Sequence, residues 1–133
     1  MNRDALNYGA IRQEKVIHSL VGDMATATHI VKTSGSLHVA ARNFDRAATL
    51  LENAGREKPF LVILDFEKCE AEAFQTLNML RQCADLKSIP VVGFLNQAKG
   101  MMKPEAEKAG CFRVYLKTEF CRELPDLIAR YAV

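Results

Sequence analysis

Residues 61–66 read LVILDF, four aliphatic residues in a row followed by Asp65 and a phenylalanine. An unbroken apolar run without alternation is typical of a strand that is covered on both faces, as in a parallel sheet between two layers of helices. A carboxylate is rarely buried without an ion-pair or hydrogen-bond partner or a functional role. The stretch therefore predicts a central parallel strand, Phe60–Leu64, and makes Asp65 a candidate functional residue.

The sequence on both sides of this run alternates between strand and helix patterns. The other predicted strands are Lys15–Val21, Leu37–Ala41, Ile89–Leu95 and Phe112–Leu116. Five helices are predicted between and after these strands. The first has Met24, Ala27, Ile30 and Val31 on its apolar face and stops at Gly35, and the second runs from about Phe44 to near Gly55. The third is marked by Phe74, Leu77 and Leu80 and ends near Asp85, and the last two are Pro104–Ala109 and Leu124–Tyr131. Strict alternation predicts a three-layer α/β/α, doubly wound parallel sheet with right-handed crossovers.

The composition restricts the kind of protein. A chain of 133 residues suits one domain, with residues 1–14 as a polar leader and residues 15–133 as the folded unit. The net charge of +2 offers no basic stripe for nucleic acid, and no apolar run approaches the roughly 20 residues of a membrane span. The leader has no apolar core typical of a secretory signal, and the four cysteines show no C-x-x-C spacing. We therefore expect a cytoplasmic protein with reduced thiols.

The carboxyl ends of the predicted strands carry the candidate site. In an open parallel sheet, ligands bind outside these ends, near the point where strand order reverses. The polar residues that follow the strands are Asp23, Asp65, Glu67, Asn96 and Lys117. Acids after two neighbouring strands, an amide and a lysine are thus expected to converge on one edge of a mostly apolar sheet.

Over roughly residues 15–133 the chain resembles the receiver domain of bacterial two-component response regulators. The stretches that carry the resemblance are LVILDF, IPVVGFLN and AGCFRVYLK, whose separations of 30 residues from Asp65 to Leu95 and 52 to Lys117 fit that layout. The resemblance implies a flavodoxin-like sheet with strand order 2-1-3-4-5. It also implies signalling in which a histidine kinase transfers a phosphoryl group to the strand-3 aspartate.

Residue by residue, the resemblance makes Asp65 the candidate phosphoacceptor and Lys117 the residue that pairs with the phosphoryl group. It implies Mg²⁺ as the cofactor, with Asp23 and Asp65 as ligands and Glu67 where a backbone carbonyl completes the metal shell. No residue is implied to be catalytic. The positions implied to switch on activation are Leu95, Asn96 and Tyr115.

Three departures from the family pattern surround this one pocket. The family has two adjacent acids after strand 1, whereas this chain has Gly22 and Asp23, so Mg²⁺ binding should be weakened. The hydroxyl-bearing position after strand 4 falls on Leu95, which donates no hydrogen bond, or on Asn96 if the register slips by one. Thr118 replaces a proline after Lys117. These departures favour a divergent or pseudo-receiver that works without phosphorylation.

Simpler roles for the same residues stay open at this point. Asp65 is either a phosphoacceptor or an acid that caps the following loop or pairs with Lys117. N-capping of the first helix explains Asp23 without a metal. The histidines are predicted to be scattered surface or edge residues rather than a ligand cluster; they are His18, His29 and His38.

Three functions are compatible with these observations. The first is a stand-alone receiver-like domain, not an enzyme, that acts through contacts with a histidine kinase or downstream signalling protein at the fourth helix, fifth strand and fifth helix. The second is a phosphorylatable single-domain response regulator with Asp65 as acceptor. The third is a small flavodoxin-like enzyme or ligand-binding domain, which should show a deep pocket.

Overall fold

A parallel sheet organises residues 15–133, which are the residues that the computed structural model describes; the predicted leader, residues 1–14, lies outside them. Its strands are β1 (Val16–Leu20), β2 (Ala40–Phe44), β3 (Leu61–Asp65), β4 (Val91–Leu95) and β5 (Arg113–Leu116). Their order across the sheet is β2-β1-β3-β4-β5, and every neighbouring pair is parallel. The predicted order 2-1-3-4-5 is confirmed.

Helices cover both faces of the sheet and form two separate cores. The helices are α1 (Met24–Ser36), α2 (Ala47–Arg56), α3 (Glu70–Gln82), α4 (Met102–Lys108) and α5 (Lys117–Tyr131), with a short 3₁₀ turn at Gln97–Lys99. Buried residues of α2, α3 and α4 pack on one face, and those of α1 and α5 on the other. The predicted three-layer architecture is therefore present.

The central strand explains the apolar run that predicted it. All residues of β3 are buried, with Val62 and Leu64 in one core and Leu61 and Ile63 in the other. Side chains alternate between the faces of a strand, so a strand with two covered faces must be apolar throughout. The edge strand β2, with the sequence AARNF, is partly exposed, as expected for a strand with one neighbour.

The predicted position of β2 is wrong by three residues because α1 runs past Gly35. The helix ends at Ser36, and the chain leaves it at His38, whose φ of 61° places it in the left-handed region. The backbone N–H of His38 donates to the Gly35 carbonyl. A histidine therefore makes the turn that the sequence assigned to glycine. The other predicted elements are present, with ends that differ by a few residues.

The prediction for α5 is also wrong, since the helix starts at Lys117 rather than Leu124 and holds Pro125 in its interior. A proline inside a helix has no N–H for the carbonyl four residues earlier, here that of Cys121. The Nε2 atom of His29, on α1, lies 3.2 Å from this Cys121 carbonyl oxygen. The neighbouring helix thus supplies the hydrogen bond that Pro125 removes.

His18 is not a surface or edge residue as predicted but is fully buried in β1. Neither ring nitrogen has a hydrogen-bond partner among the described residues; the nearest acid is Glu57, whose Oε1 lies 3.9 Å from Nε2. Its ring packs edge-on against Phe44. Burial lowers the pKa of His18 below its usual value, so the imidazole is neutral at physiological pH.

In residues 15–133, no helix is both long enough and apolar enough to cross a membrane.

Candidate functional site

Asp65 ends β3 and is fully buried. Its Oδ1 atom accepts hydrogen bonds from the backbone N–H groups of Glu67 and Lys68, both at 2.9 Å, and its Oδ2 atom accepts one from Gly22 at 3.1 Å. The two bonds to Oδ1 close a turn of the kind that aspartate favours when it bonds backbone two and three residues ahead. The carboxylate is therefore held by backbone dipoles on both oxygens, and the predicted loop-capping role is confirmed.

The space beside Asp65 at position 22 is closed. A methyl group added to Gly22 would lie 3.0 Å from Sγ of Cys69 and 3.0 Å from Cβ of Lys68, distances that force the neighbours to move. These two residues follow Asp65 in the turn that its carboxylate holds. The turn that satisfies Asp65 thus also crowds the position after β1 at which the resemblance places a second acid.

Asp23 lies on the more exposed side of the site and caps α1. Its Oδ2 atom accepts hydrogen bonds from the Thr26 backbone N–H at 3.3 Å and from the Thr26 hydroxyl. The Lys117 ammonium donates to the same oxygen at 2.9 Å, and both charged side chains are about 29% exposed. The bonds from Thr26 and then from Lys117 lower the pKa of Asp23 to about 2. N-capping of α1 by Asp23 is confirmed.

Lys117 is the first residue of α5 and forms its ion pair with Asp23 rather than with Asp65. The hydrogen bond to Asp23 raises the pKa of Lys117 above its usual value. A cation at a helix N-terminus opposes the helix dipole, so the Asp23 carboxylate compensates a charge that the helix itself disfavours. The alternative in which Asp65 pairs with Lys117 is wrong, because the acid that Lys117 reaches is Asp23, the N-cap of α1.

Glu67 and Asn96 line an open cleft of about 330 Å³ next to Lys117. The remaining residues around it are Gln97, Leu116 and Thr118. Oε1 of Glu67 is buried without a hydrogen-bond partner in residues 15–133, and Oδ1 of Asn96 accepts from the backbone N–H of Lys99 at 3.1 Å. Neither Asp23 nor Asp65 lines this cleft. Of the three carboxylates predicted to bind metal together, Glu67 is therefore the one that lines it.

The other two predicted switch positions are core residues. Leu95 is buried at the end of β4 in the core beneath α3 and α4. Tyr115 is buried on the opposite face, where its ring lies 4.5 Å below the Arg113 guanidinium and 6.3 Å from the ring of Phe120. Leu95 offers no hydrogen-bond donor to a ligand at the sheet edge.

The residues predicted to bind Mg²⁺ do not fit a divalent cation in this arrangement. Mg²⁺ requires several oxygen ligands in near-octahedral geometry. Oδ1 of Asp65 already accepts two N–H groups, and Oδ2 of Asp23 faces the Lys117 ammonium. In the part of the chain that the structure describes, no group of three or more His, Cys, Asp and Glu side chains could hold a metal ion.

The sequence did not point to three residues that shape this site: Thr26, Lys68 and Cys69. Thr26 stands three residues after the cap Asp23, a spacing at which a side chain can bond the cap, so a signal for it was present. Lys68 and Cys69 carry no comparable pattern, because their contribution is to fill the space beside a glycine 46 and 47 positions earlier.

The topology, with an acid at the carboxyl end of the central strand, defines a class: the chain has the fold of response-regulator receiver domains. It is similar to the chemotaxis response regulator CheY4 of Vibrio cholerae, with a TM-score of 0.75 and 13% identity over 89% of this chain and 98% of that one. It is also similar to the phosphorylated cyanobacterial phytochrome response regulator RcpA, with a TM-score of 0.76 and 13% identity over 90% and 94%.

A third similar structure is the Mn²⁺-bound form of the response regulator Rcp1, with a TM-score of 0.72 and 14% identity over 86% of this chain and 92% of that one. No protein-family model matches the sequence, and no curated protein matches it. At such identities the likeness establishes the fold, and the residues of this chain have to carry any argument about chemistry.

Proposed function

We propose that this chain is a receiver-like domain that serves two-component-type signal transduction through protein–protein contacts, and that it does so without phosphorylation of Asp65. It is not an enzyme in this proposal. The observation that carries it is the state of Asp65, a fully buried carboxylate with both oxygens bonded to backbone N–H groups. The fold supports the signalling class, and this carboxylate supports the mode of action.

The chemistry of phosphoryl transfer supports the same proposal. A carboxylate that attacks phosphorus must present a lone pair to the incoming group, and nearby cations must neutralise the charge that develops. Burial removes Asp65 from an approaching donor, and three N–H groups already stabilise its negative charge. Lys117, the cation expected to help, is bonded to Asp23. Leu95 stands where the resemblance places a hydroxyl donor.

The exposed apolar residues near α4, β5 and α5 support this region as the contact surface for a protein partner, such as a histidine kinase or a downstream signalling protein. Met101 before α4 is 92% exposed, Phe112 before β5 is 68% exposed, and Leu116 at the end of β5 is 38% exposed. Exposed large apolar side chains are candidates for contact with a partner, and these three lie on or beside the elements that the resemblance assigns to that contact. These three residues therefore define the surface to be tested.

The phosphorylation part is tested by amide NMR with Mg²⁺ and beryllofluoride, a mimic of the phosphoryl group. We expect no saturable shifts at the amides of Asp65, Leu95 and Lys117 at millimolar Mg²⁺. Saturable shifts at these positions that vanish in Asp65→Asn would overturn this part and establish the phosphorylatable alternative.

The contact part is tested by cross-linking the tagged protein in its native cells. We expect the wild type and Asp65→Asn to give the same cross-linked partner, and the Met101→Ser, Leu116→Ser double variant to lose it. Leu37→Ser is the matched control, since Leu37 is 38% exposed, as Leu116 is, and lies between α1 and β2, the edge strand on the opposite side of the sheet from β5. Loss of the partner in Asp65→Asn, or its retention in the double variant, would contradict the proposal.

A further inference from the structure

We infer that the Lys117 ammonium takes the place of a divalent cation in this site and keeps the site free of metal. This inference rests on the proposed function and deepens it, because it names the group that would keep from Asp65 the cation that phosphoryl transfer requires. Its test uses no phosphoryl donor, so its outcome is separate from that of the beryllofluoride experiment.

The first support is that each carboxylate predicted to bind metal has a different partner. Asp23 is bonded by the Lys117 ammonium at 2.9 Å and by the hydroxyl and N–H of Thr26. Asp65 is bonded by three backbone N–H groups. An incoming cation would have to compete with the ammonium for Oδ2 of Asp23 and with two backbone N–H groups for Oδ1 of Asp65.

The second support is steric. A third acid at position 22 would have to displace Cys69 and Lys68, each 3.0 Å from where its Cβ would lie. Mg²⁺ prefers several carboxylate or carbonyl oxygens and gives up its water reluctantly. Gly22 has no side chain, so the side-chain oxygens available directly after β1 are those of Asp23.

The third support is that Lys117 is covalently tethered beside Asp23. It occupies the first position of α5, which follows β5 without a connecting loop, so the backbone holds its side chain near the carboxylate. A tethered group competes with a free one at an effective concentration in the millimolar range. A cation at cellular concentration thus meets a competitor that never leaves the site.

The experiment is a titration of the full chain with Mn²⁺, read as paramagnetic broadening of amide NMR signals. We expect the wild type to show no selective, saturable broadening at Gly22, Asp23 and Asp65 up to millimolar Mn²⁺. The variant Lys117→Gln should show it, with affinity at least about tenfold higher, because one positive charge has been removed from beside the acids.

Two further variants make the result specific to Lys117. Lys99→Gln removes one positive charge from the same sheet edge, where Lys99 pairs with Glu70 at 3.4 Å, and should remain like the wild type. Lys117→Arg keeps a cation beside Asp23 and should also stay unbroadened. The dispersion of amide signals outside the site reports whether each variant is folded.

Selective broadening in the wild type would overturn the inference while leaving the contact part of the proposed function standing. A folded Lys117→Gln that gains no affinity would overturn it too, because Lys117 would then not be what excludes the cation. Equal gains in Lys117→Gln and Lys99→Gln would show a general charge effect and would likewise contradict the inference.

Discussion

The two aspartates at the carboxyl edge of the sheet differ in what surrounds them. Asp65 is fully buried and bonded by three backbone N–H groups, whereas the Asp23 side chain is about 29% exposed and bonded mainly by the side chains of Thr26 and Lys117. The backbone around Asp65 cannot be exchanged by mutation, but the partners of Asp23 can. One acid is therefore fixed by the fold and the other by a replaceable contact.

The largest effect on stability is expected from mutation of Asp65, the acid that the backbone holds. Replacing Asp65 with alanine leaves three backbone N–H groups without an acceptor, and at about 1 kcal/mol each we expect a loss of about 3 kcal/mol in the free energy of unfolding. Urea unfolding measures it. Asp65→Asn keeps one oxygen for the Glu67 and Lys68 N–H groups and should lose less. Equal losses in the two variants would contradict the role assigned to these bonds.

The packing beneath Asp65 should give the next largest effect. A methyl group at Gly93, on β4, would lie 2.4 Å from Cε2 of Phe66, the residue that follows Asp65. Overpacking of a core typically costs about 1–3 kcal/mol, so Gly93→Ala should lower the free energy of unfolding by about 2 kcal/mol. Gly55→Ala is the control, since no atom lies within 4 Å of its added methyl group and it should be neutral or stabilising. A neutral Gly93→Ala would mean that the Phe66 ring is not fixed.

On the Asp23 side, the bond between His29 and the Cys121 carbonyl adds a second contact between α1 and α5. His29→Ala should cost about 1 kcal/mol, because the carbonyl that Pro125 leaves free then loses its donor. In the background Pro125→Ala, which restores a backbone N–H, the same change should cost less. A double-mutant cycle by urea unfolding measures this coupling. Strictly additive effects would show that His29 does not act through Pro125.

His18 should dominate the pH dependence at mildly acidic pH. Burial lowers its pKa from 6.5, so the unfolded chain takes up a proton before the folded one does. The stability it contributes is fully present above pH 6.5 and is lost as the pH falls from there through its lowered pKa. His18→Leu should flatten the urea-unfolding midpoint in this window. The charged groups nearest the ring, Glu57 and Arg42, stay ionised throughout it.

The smallest effect is expected from Asp23 at strongly acidic pH. Its pKa is lowered from 3.8 to about 2, so its stabilising contribution is present above pH 3.8 and is lost as the pH falls through about 2. Asp23→Asn keeps an N-cap oxygen but no charge, and its unfolding midpoint should respond less to pH in this window than that of the wild type. Parallel pH curves for the two proteins would show that the bonds from Thr26 and Lys117 do not stabilise the charged carboxylate in solution.

The sequence predicts the sheet well because a strand buried on both faces has an unbroken run of apolar residues. LVILDF can only be a doubly covered strand, and the same logic places Asp65, Asn96 and Lys117 at one edge. The partner of Lys117 was not predictable, since Asp23 and Asp65 follow neighbouring strands and only the direction of a flexible side chain decides between them. The start of α5 could have been found from Glu119, which accepts from the Leu116 N–H at 3.0 Å, but Pro125 masked it.

The crowding at Gly22 has a consequence for how this chain can change by mutation. A single replacement of Gly22 by aspartate would place its Cβ 3.0 Å from atoms of Cys69 and Lys68, so a lone second acid requires these neighbours to shift. Changes at positions 68 and 69 that make room for this shift bring no benefit to metal binding by themselves. The effect of a second acid at position 22 therefore depends on which residues occupy the turn after Asp65.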